Sequence, residues 1–340
     1  MKKTAASAPT KLILCGEHYV VYGARALAFA TALRNRVELL EAEGEPCIEI
    51  RSRMGNAVVY ESGKFIGAEI LRGFGELFLQ ILRKNGFRLR KTLRAKLLLS
   101  AAPKGMGNSA SLGAALALTL YSHFGKKQPR FNDIFEAVQA SEKIMHGGIP
   151  SGVDALSVIK GGFQVFRKKF DPAKVLFKDA RVEFPRGVRV VVIDTCVGGM
   201  KSTTNEMVKK FARRNLARGR PEEIGETERK RITRPYDKLF AGIFCRLCWN
   251  GDARALGKLL NENHELLARS GMSSRGIERA RKICLKNGAF GAKLSGAGGE
   301  GGAVISLVDA KKVNTVLRAL KKEGFRAFAA EVDFEGAKLV

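Results

Sequence analysis

Pro103-Lys104-Gly105-Met106-Gly107-Asn108-Ser109-Ala110-Ser111 has the residue types of an anion-binding turn. Gly105 and Gly107 let the backbone turn tightly and bring its N–H groups close to a ligand. The small and apolar residues after it, from Leu112 to Tyr121, read as a helix whose free N–H groups and positive dipole end favour a negative charge. Asn108, Ser109 and Ser111 supply side-chain oxygens where a helix start takes caps. A phosphate suits this chemistry. The same glycines also suit a loop that only opens a buried helix, and no Gly-Lys-Ser/Thr closes the stretch as a Walker loop would.

Other residues could do chemistry beside it. Residues 129–145 read as a helix whose stripe is Phe131, Ile134, Phe135, Val138 and Met145. Glu142 falls on that stripe and is expected to point inward, where a carboxylate needs a cation, a metal or a hydrogen-bond donor. A nearby Arg or Lys would also answer it. Asp154 opens a helix after the turn His146-Gly147-Gly148-Ile149-Pro150-Ser151-Gly152, as an acceptor or as a partner of the helix dipole. His18 stands at the end of a strand, as a structural group or a functional one. Thr204 shares a helix face with Met207, Val208 and Phe211, which aims its hydroxyl inward.

The elements that must hold these residues alternate. Strands are expected over 11–15, 19–23, 36–49, 57–60, 93–100 and 161–166, with helices over 67–84, 112–121 and 129–145. Ile70 belongs to the period of the first of these helices. A basic connector over 167–186 separates a unit of residues 1–184 from one of 185–340. The second unit begins with the apolar strand 188–194. Helices over 204–211, 236–250, 253–267 and 276–287 follow, then strand 289–294, a glycine-rich turn 295–302, strand 303–307, helix 309–323 and strand 325–331. Each half owns a sheet, so the class is α+β.

The chain of 340 residues carries a formal charge of +27. That charge suits nucleic acid, an anionic surface or small anionic substrates. Basic residues cluster at Arg83, Lys84, Arg88, Arg90 and Lys91, at Lys209, Lys210, Arg213 and Arg214, and at Arg229, Lys230, Arg231 and Arg234. No aromatic residues interleave with them as stacking platforms, so no nucleic-acid partner is expected. No apolar run approaches the ~20 residues of a membrane span, and the N-terminus lacks a signal-peptide core. No membrane partner and a cytoplasmic location are the expectations. The cysteines read as buried free thiols, since Cys245 and Cys248 have no second pair with which to hold zinc.

Three segments in order resemble the GHMP kinase superfamily: Pro9-Thr10-Lys11-Leu12-Ile13-Leu14-Cys15-Gly16-Glu17-His18, the central glycine loop, and Lys293-Leu294-Ser295-Gly296-Ala297-Gly298-Gly299. Gly16-Glu17-His18-Tyr19-Val20-Val21-Tyr22-Gly23, Glu142 with His146-Gly147 and Pro150-Ser151-Gly152-Val153-Asp154, Thr203-Thr204-Asn205-Glu206, and Asn261-Glu262-Asn263-His264 are similar to its mevalonate-phosphorylating branch. Thr10 and Asn108 stand where that pattern has Gly and Ser, the loop is two residues shorter, one residue is added before Pro150, and Glu300 replaces a Gly.

The resemblance implies a two-domain fold, with a ribosomal-protein-S5-like N-terminal domain and a ferredoxin-like α/β sandwich after it. It implies an ATP- and Mg²⁺-dependent phosphorylation of the 5-hydroxyl of mevalonate, and leaves a homodimer open. Residues 103–111, from Pro103 to Ser111 with Met106 and Ala110 among them, would hold the ATP phosphates, and Ser109 and Glu142 would hold Mg²⁺. Asp154 would act as base or orienting acceptor, with Lys11 beside it to stabilise charge. Glu17, His18 and Thr204 would belong to the acceptor side, while Gly296, Ala297 and Gly298 would brace the phosphate loop. The alternatives are another GHMP kinase, for phosphomevalonate, homoserine or a sugar, and a basic nucleic-acid-binding protein on a kinase-like fold.

Overall fold

A computed structural model describes residues 3–125, 129–145, 150–170, 173–196, 202–215, 223–249 and 251–340, with 173–175 described by backbone alone. Residues 146–149 and 197–201, which include His146-Gly147 and part of the loop before Thr204, lie outside the described residues.

Strands β1 (Lys3–Cys15) and β2 (Arg25–Ala42) form a long antiparallel pair, whose register shifts between Pro9 and Thr10 and again between Ile13 and Cys15. Such bulges re-aim the side chains beside them, and Lys11 follows the first. Residues Tyr19–Tyr22 form a 3-10 turn, not the expected strand. Gly16, at φ 110, makes the reversal possible: a Cβ there would lie 2.5 Å from the Cα of Ala26.

Strands β3 (Cys47–Ser52), β4 (Gly55–Tyr60) and β5 (Phe65–Gly67) precede α1 (Arg72–Asn85). The helix proper begins five residues after the expected Gly67, so Ile70 lies outside it and is 58% exposed. β6 (Thr92–Leu98) leads through the glycine loop to α2 (Asn108–His123), buried continuously from Ala110 to Tyr121. Small residues let this helix pass through the middle of the unit, against β1, β2, α1 and α3 (Phe131–Met145). On α3, Ile134, Ala137, Val138, Ser141 and Glu142 are buried, as expected for Glu142, while Phe131, Phe135 and Met145 are half-buried.

α4 (Val153–Lys160) follows, and then β7 (Phe163–Phe170) and β8 (Ala173–Ala180) pair as a hairpin along β2. The expected connector over 167–186 is therefore largely sheet. After it come β9 (Val188–Asp194), α5 (Thr204–Asn215), α6 (Glu226–Cys248), α7 (Ala253–Arg269) and α8 (Arg275–Lys286). The chain closes with β10 (Gly291–Ser295), β11 (Ala303–Asp309), α9 (Val313–Lys322), β12 (Arg326–Ala330) and β13 (Lys338–Leu339). α6 starts ten residues before the expected Tyr236 and carries Pro235 inside it.

The first sheet runs β13-β1-β2-β6-β3-β4-β5, with β7 and β8 branching from β2; the second is the antiparallel β10-β11-β9-β12. The C-terminal strand thus returns to the first sheet, where Asp333 also pairs with Arg34. One apolar core crosses between the sheets, joining Leu12, Leu14, Leu27 and Phe29 to Val190, Val192, Leu294 and Ile305. Two sheets, each with its own helices, make the α+β class that the sequence leads one to expect.

No helix of the described residues is long and apolar enough to cross a membrane. Cys15, Cys47 and Cys284 are buried, whereas Cys245 and Cys248 are exposed near the end of α6, against the expectation of buried thiols. The spacing that put them in a helix could not show which face they occupy.

Candidate active site

The bulge in β1, the glycine loop and the first turn of α4 converge on one ion pair. Lys11 Nζ lies 3.0 Å from Asp154 Oδ1, with Lys11 only 2% exposed and Asp154 27% exposed on its side chains. The Lys11 N–H donates to the carbonyl of Met106 at 2.9 Å, and its ammonium reaches the carbonyl of Gly105 at 3.4 Å. Gly107, at φ 69, is the left-handed residue before α2; a Cβ there would sit 3.0 Å from Lys11 Cγ and 3.5 Å from Asp154 Oδ2. The loop backbone therefore passes directly against both charged side chains, and only glycine leaves room for them.

Asn108, in place of the expected serine, ties the shortened loop to itself. Its Nδ2 donates to the carbonyls of Ala102 at 3.3 Å and Pro103 at 3.1 Å. Its Oδ1 accepts from Nδ2 of buried Asn35 at 3.1 Å, and Asn35 Oδ1 accepts from the N–H of Ser100 at 2.7 Å. Ser111 turns the other way, donating to the carbonyl of Ala8 at 2.8 Å inside the core. Ala110 is buried with it, Lys104 is exposed, and Ser109 is half-buried in the first turn of α2. Thr10, in place of glycine, shares a 2.7 Å hydroxyl contact with Thr31.

The third segment meets the loop from the second sheet. Gly296, at φ 87, packs on Gly105, whose carbonyl oxygen would lie 3.1 Å from a Cβ at Gly296. Ser295 Oγ accepts from the N–H of Ile13 and donates to the Ile13 carbonyl, both at 3.0 Å. Gly298 leaves space for the Met272 carbonyl, which a Cβ would approach to 2.2 Å. The Ala297 carbonyl accepts from His18 Nε2 at 2.9 Å.

His18 is the one described non-glycine residue with a positive φ, 58°, a conformation kept where the surroundings over-determine it. Since a carbonyl only accepts, Nε2 carries the proton and buried Nδ1 has no hydrogen-bond partner among the described residues. The ring stacks on Phe211 of α5, centroids 5.0 Å apart. Burial pulls the imidazole down to about 4, against the bond to Ala297.

Glu17 is buried beside His18. Its carboxylate pairs with Lys293 of β10, and neither side chain has solvent exposure. Burial pushes the Glu17 carboxyl above its ordinary range, against the pull of Lys293. Lys293 of the third segment, Phe211 of the Thr204 face and Asn35 carry this site, although the sequence assigns a role to none of them. The signals for Lys293 are its place at the head of the third segment and a lysine inside an otherwise apolar strand. Thr204 is half-buried at the first turn of α5, which Thr203 and Glu206 close reciprocally: the Thr203 N–H donates to Glu206 Oε2 at 2.7 Å, and the Glu206 N–H to Thr203 Oγ1 at 3.2 Å.

Among the described residues no three His, Cys, Asp or Glu gather as a metal cage. The oxygens on hand are the Glu142 carboxylate, 3% exposed on the inner face of α3, and the Ser109 hydroxyl on the helix packed against it. Two protein oxygens suit Mg²⁺, which keeps water and phosphate for the rest of its shell.

The geometry agrees with two family models, the GHMP kinases N terminal domain over residues 76–162 and the GHMP kinases C terminal over residues 244–326. A mevalonate kinase of Aeropyrum pernix is 32% identical, over 100% of this chain and 99% of its own. A mevalonate kinase of Methanocaldococcus jannaschii is 27% identical, over 94% of this chain and 96% of its own. The crystal structure of L. major mevalonate kinase in complex with R-mevalonate superposes with a TM-score of 0.75 at 23% identity, covering 99% of this chain and 97% of that one.

Proposed function

The chain belongs to the GHMP kinase family and is an ATP-dependent kinase, and from that premise we propose that it transfers the γ-phosphoryl of ATP to the 5-hydroxyl of mevalonate. The observation that carries this reading is the Lys11–Asp154 pair at 3.0 Å, held against the backbone of a glycine loop that opens α2. Phosphoryl transfer asks for positioning and charge neutralisation more than for covalent chemistry. The loop and the free N–H groups of α2 hold the nucleotide phosphates. Asp154 accepts the hydroxyl proton of the acceptor, oriented by Lys11, whose ammonium also faces the charge that develops on the transferring group. Ser109 and Glu142 hold Mg²⁺, which when bound neutralises phosphate charge. His18, neutral and rigid on Phe211, belongs to the acceptor side, with Thr204 as a further polar contact. The mevalonate named in the relatives supports it as the acceptor.

The test is ATP turnover with mevalonate, phosphomevalonate and homoserine side by side, wild type against Asp154→Asn. Turnover of mevalonate, lost about 10²–10⁴-fold in the variant, is expected. Preference for phosphomevalonate or homoserine overturns the acceptor, and turnover undiminished in Asp154→Asn overturns the role of the carboxylate.

A further inference from the structure

The basic clusters of the sequence do not fare alike. The first is answered by carboxylates: Lys84 by Asp133 and Glu136, Arg88 by Glu61 and Lys91 by Glu43. The second and third meet across a cavity of about 490 Å³ between the end of α5, the middle of α6 and the end of α7. Arg214, Arg231 and Arg269 line it, with Tyr19, Ile232 and Leu266 as its apolar wall. Arg214 has no carboxylate at ion-pair distance among the described residues; its Nη1 donates to the Arg269 carbonyl at 3.5 Å, and it lies over Gly271. Arg231 is held by both oxygens of Glu228 and by the Asn215 carbonyl at 2.9 Å, while Arg269 has only a loose contact, 3.8 Å, with Glu265. Among the described residues, one tight and one loose carboxylate thus stand against three guanidiniums. Arg231 is anchored along one edge, Arg214 and Arg269 are held at long distances, and all three are exposed with further N–H donors, the groups that recognise phosphate oxygens.

We propose that this cavity is a second anion site, which binds a phosphorylated small molecule through Arg214, Arg231 and Arg269 and lays the apolar part of that ligand on Tyr19, Ile232 and Leu266. The site is separate from the loop at Gly105 and Gly107 and goes beyond the phosphoryl transfer proposed above. It is also in contact with the acceptor side. Tyr19 packs edge-on against Phe211 with centroids 5.2 Å apart, and Phe211 stacks on His18. A ligand seated on Tyr19 therefore touches the same aromatic stack that holds the imidazole.

Pyrophosphate is the probe. The full chain is first titrated calorimetrically with Mg²⁺ and a non-hydrolysable ATP analogue, which reads the kinase assignment on its own. Pyrophosphate is then titrated into that complex, or, if the analogue does not bind, into the chain alone. One further equivalent is expected to bind, at least tenfold more weakly in Arg214→Gln and weaker again in Arg214→Gln/Arg269→Gln, with unchanged melting temperatures. A remote variant, Lys321→Gln, is expected to bind as wild type does. Absence of the further equivalent, equal affinity in the double variant, or an equal loss in Lys321→Gln overturns the site, the last because it signals attraction to the overall charge.

Discussion

Lys293 and Glu17, 276 residues apart in the chain, form an ion pair with no solvent exposure on either side chain. The lysine belongs to β10 of the second sheet, and the glutamate directly precedes His18. Lys293 Nζ also donates to the Leu294 carbonyl at 2.5 Å. Removing one partner of a buried pair leaves an uncompensated charge. Lys293→Met is therefore expected to cost about 3–5 kcal/mol of stability in denaturant unfolding, and Lys293→Met/Glu17→Gln to recover most of it. A single variant as stable as wild type would show the pair to be dispensable.

The Lys11–Asp154 pair is expected to act as one unit. Lys11→Met and Asp154→Asn should each lower kcat by about 10²–10⁴-fold, and the double variant should be little worse than the weaker single one. Losses that multiply in the double variant would mean that the two side chains serve separate steps.

Gly107→Ala tests the contact between loop and pair. The residue sits at φ 69, and its new methyl would press on Lys11 Cγ at 3.0 Å and Cε at 3.1 Å. Displacing a reacting group by ~1 Å can cost about 10²-fold in rate. A kcat lowered at least tenfold is expected in steady-state kinetics, together with a raised KM for ATP, since the same loop holds the nucleotide phosphates. Wild-type kcat would show that Lys11 is not held by the loop.

Asn108→Ser restores the residue type of the family pattern and is expected to harm the enzyme. Serine cannot reach the Ala102 and Pro103 carbonyls, and it leaves Asn35 Nδ2 with the longer 3.4 Å bond to the backbone carbonyl of residue 108 in place of its 3.1 Å partner. Each hydrogen bond lost costs about 0.5–1.5 kcal/mol. A lower melting temperature and a raised KM for ATP are the expected readings, and an unchanged pair of values would show that the loop holds its shape without this side chain.

Local patterns carried part of this architecture in the sequence. The apolar run 188–194 is β9 as expected, the glycine loop opens α2, and Glu142 faces inward because the helical period demands it. Resemblance, not spacing, brought Lys11 to Asp154. The pairing of Glu17 with Lys293 was hidden because no local period links residues so far apart. The β7–β8 hairpin was hidden because Arg167, Lys168, Lys169 and Lys174 make a branch strand read as a solvated connector. Edge strands carry such charges to resist further pairing. The 3-10 turn at Tyr19–Tyr22 was mistaken for strand because four β-prone residues in a row reveal nothing of the glycines' positive φ on either side.

His264 gives the fold an acid limit. It is 1% exposed, with Nδ1 accepting from the Leu294 N–H at 3.2 Å and Nε2 donating to Glu278 at 2.8 Å. A neutral imidazole has the same donor and acceptor as a glutamine amide, and burial, with Arg281 nearby, pulls its pKa down to about 4. The unfolded imidazole, at its ordinary 6.5, binds the proton first. The contribution of His264 is therefore complete above about 6.5 and is lost as pH falls toward 4, by up to about 3 kcal/mol. His18, also pulled down to about 4, titrates in the same window. His264→Gln keeps both bonds and removes one titration, so unfolding free energies at pH 7 should match wild type, while the fall between pH 6.5 and pH 4.5 should be visibly shallower. An identical pH dependence in the two proteins would refute the neutral, buried imidazole.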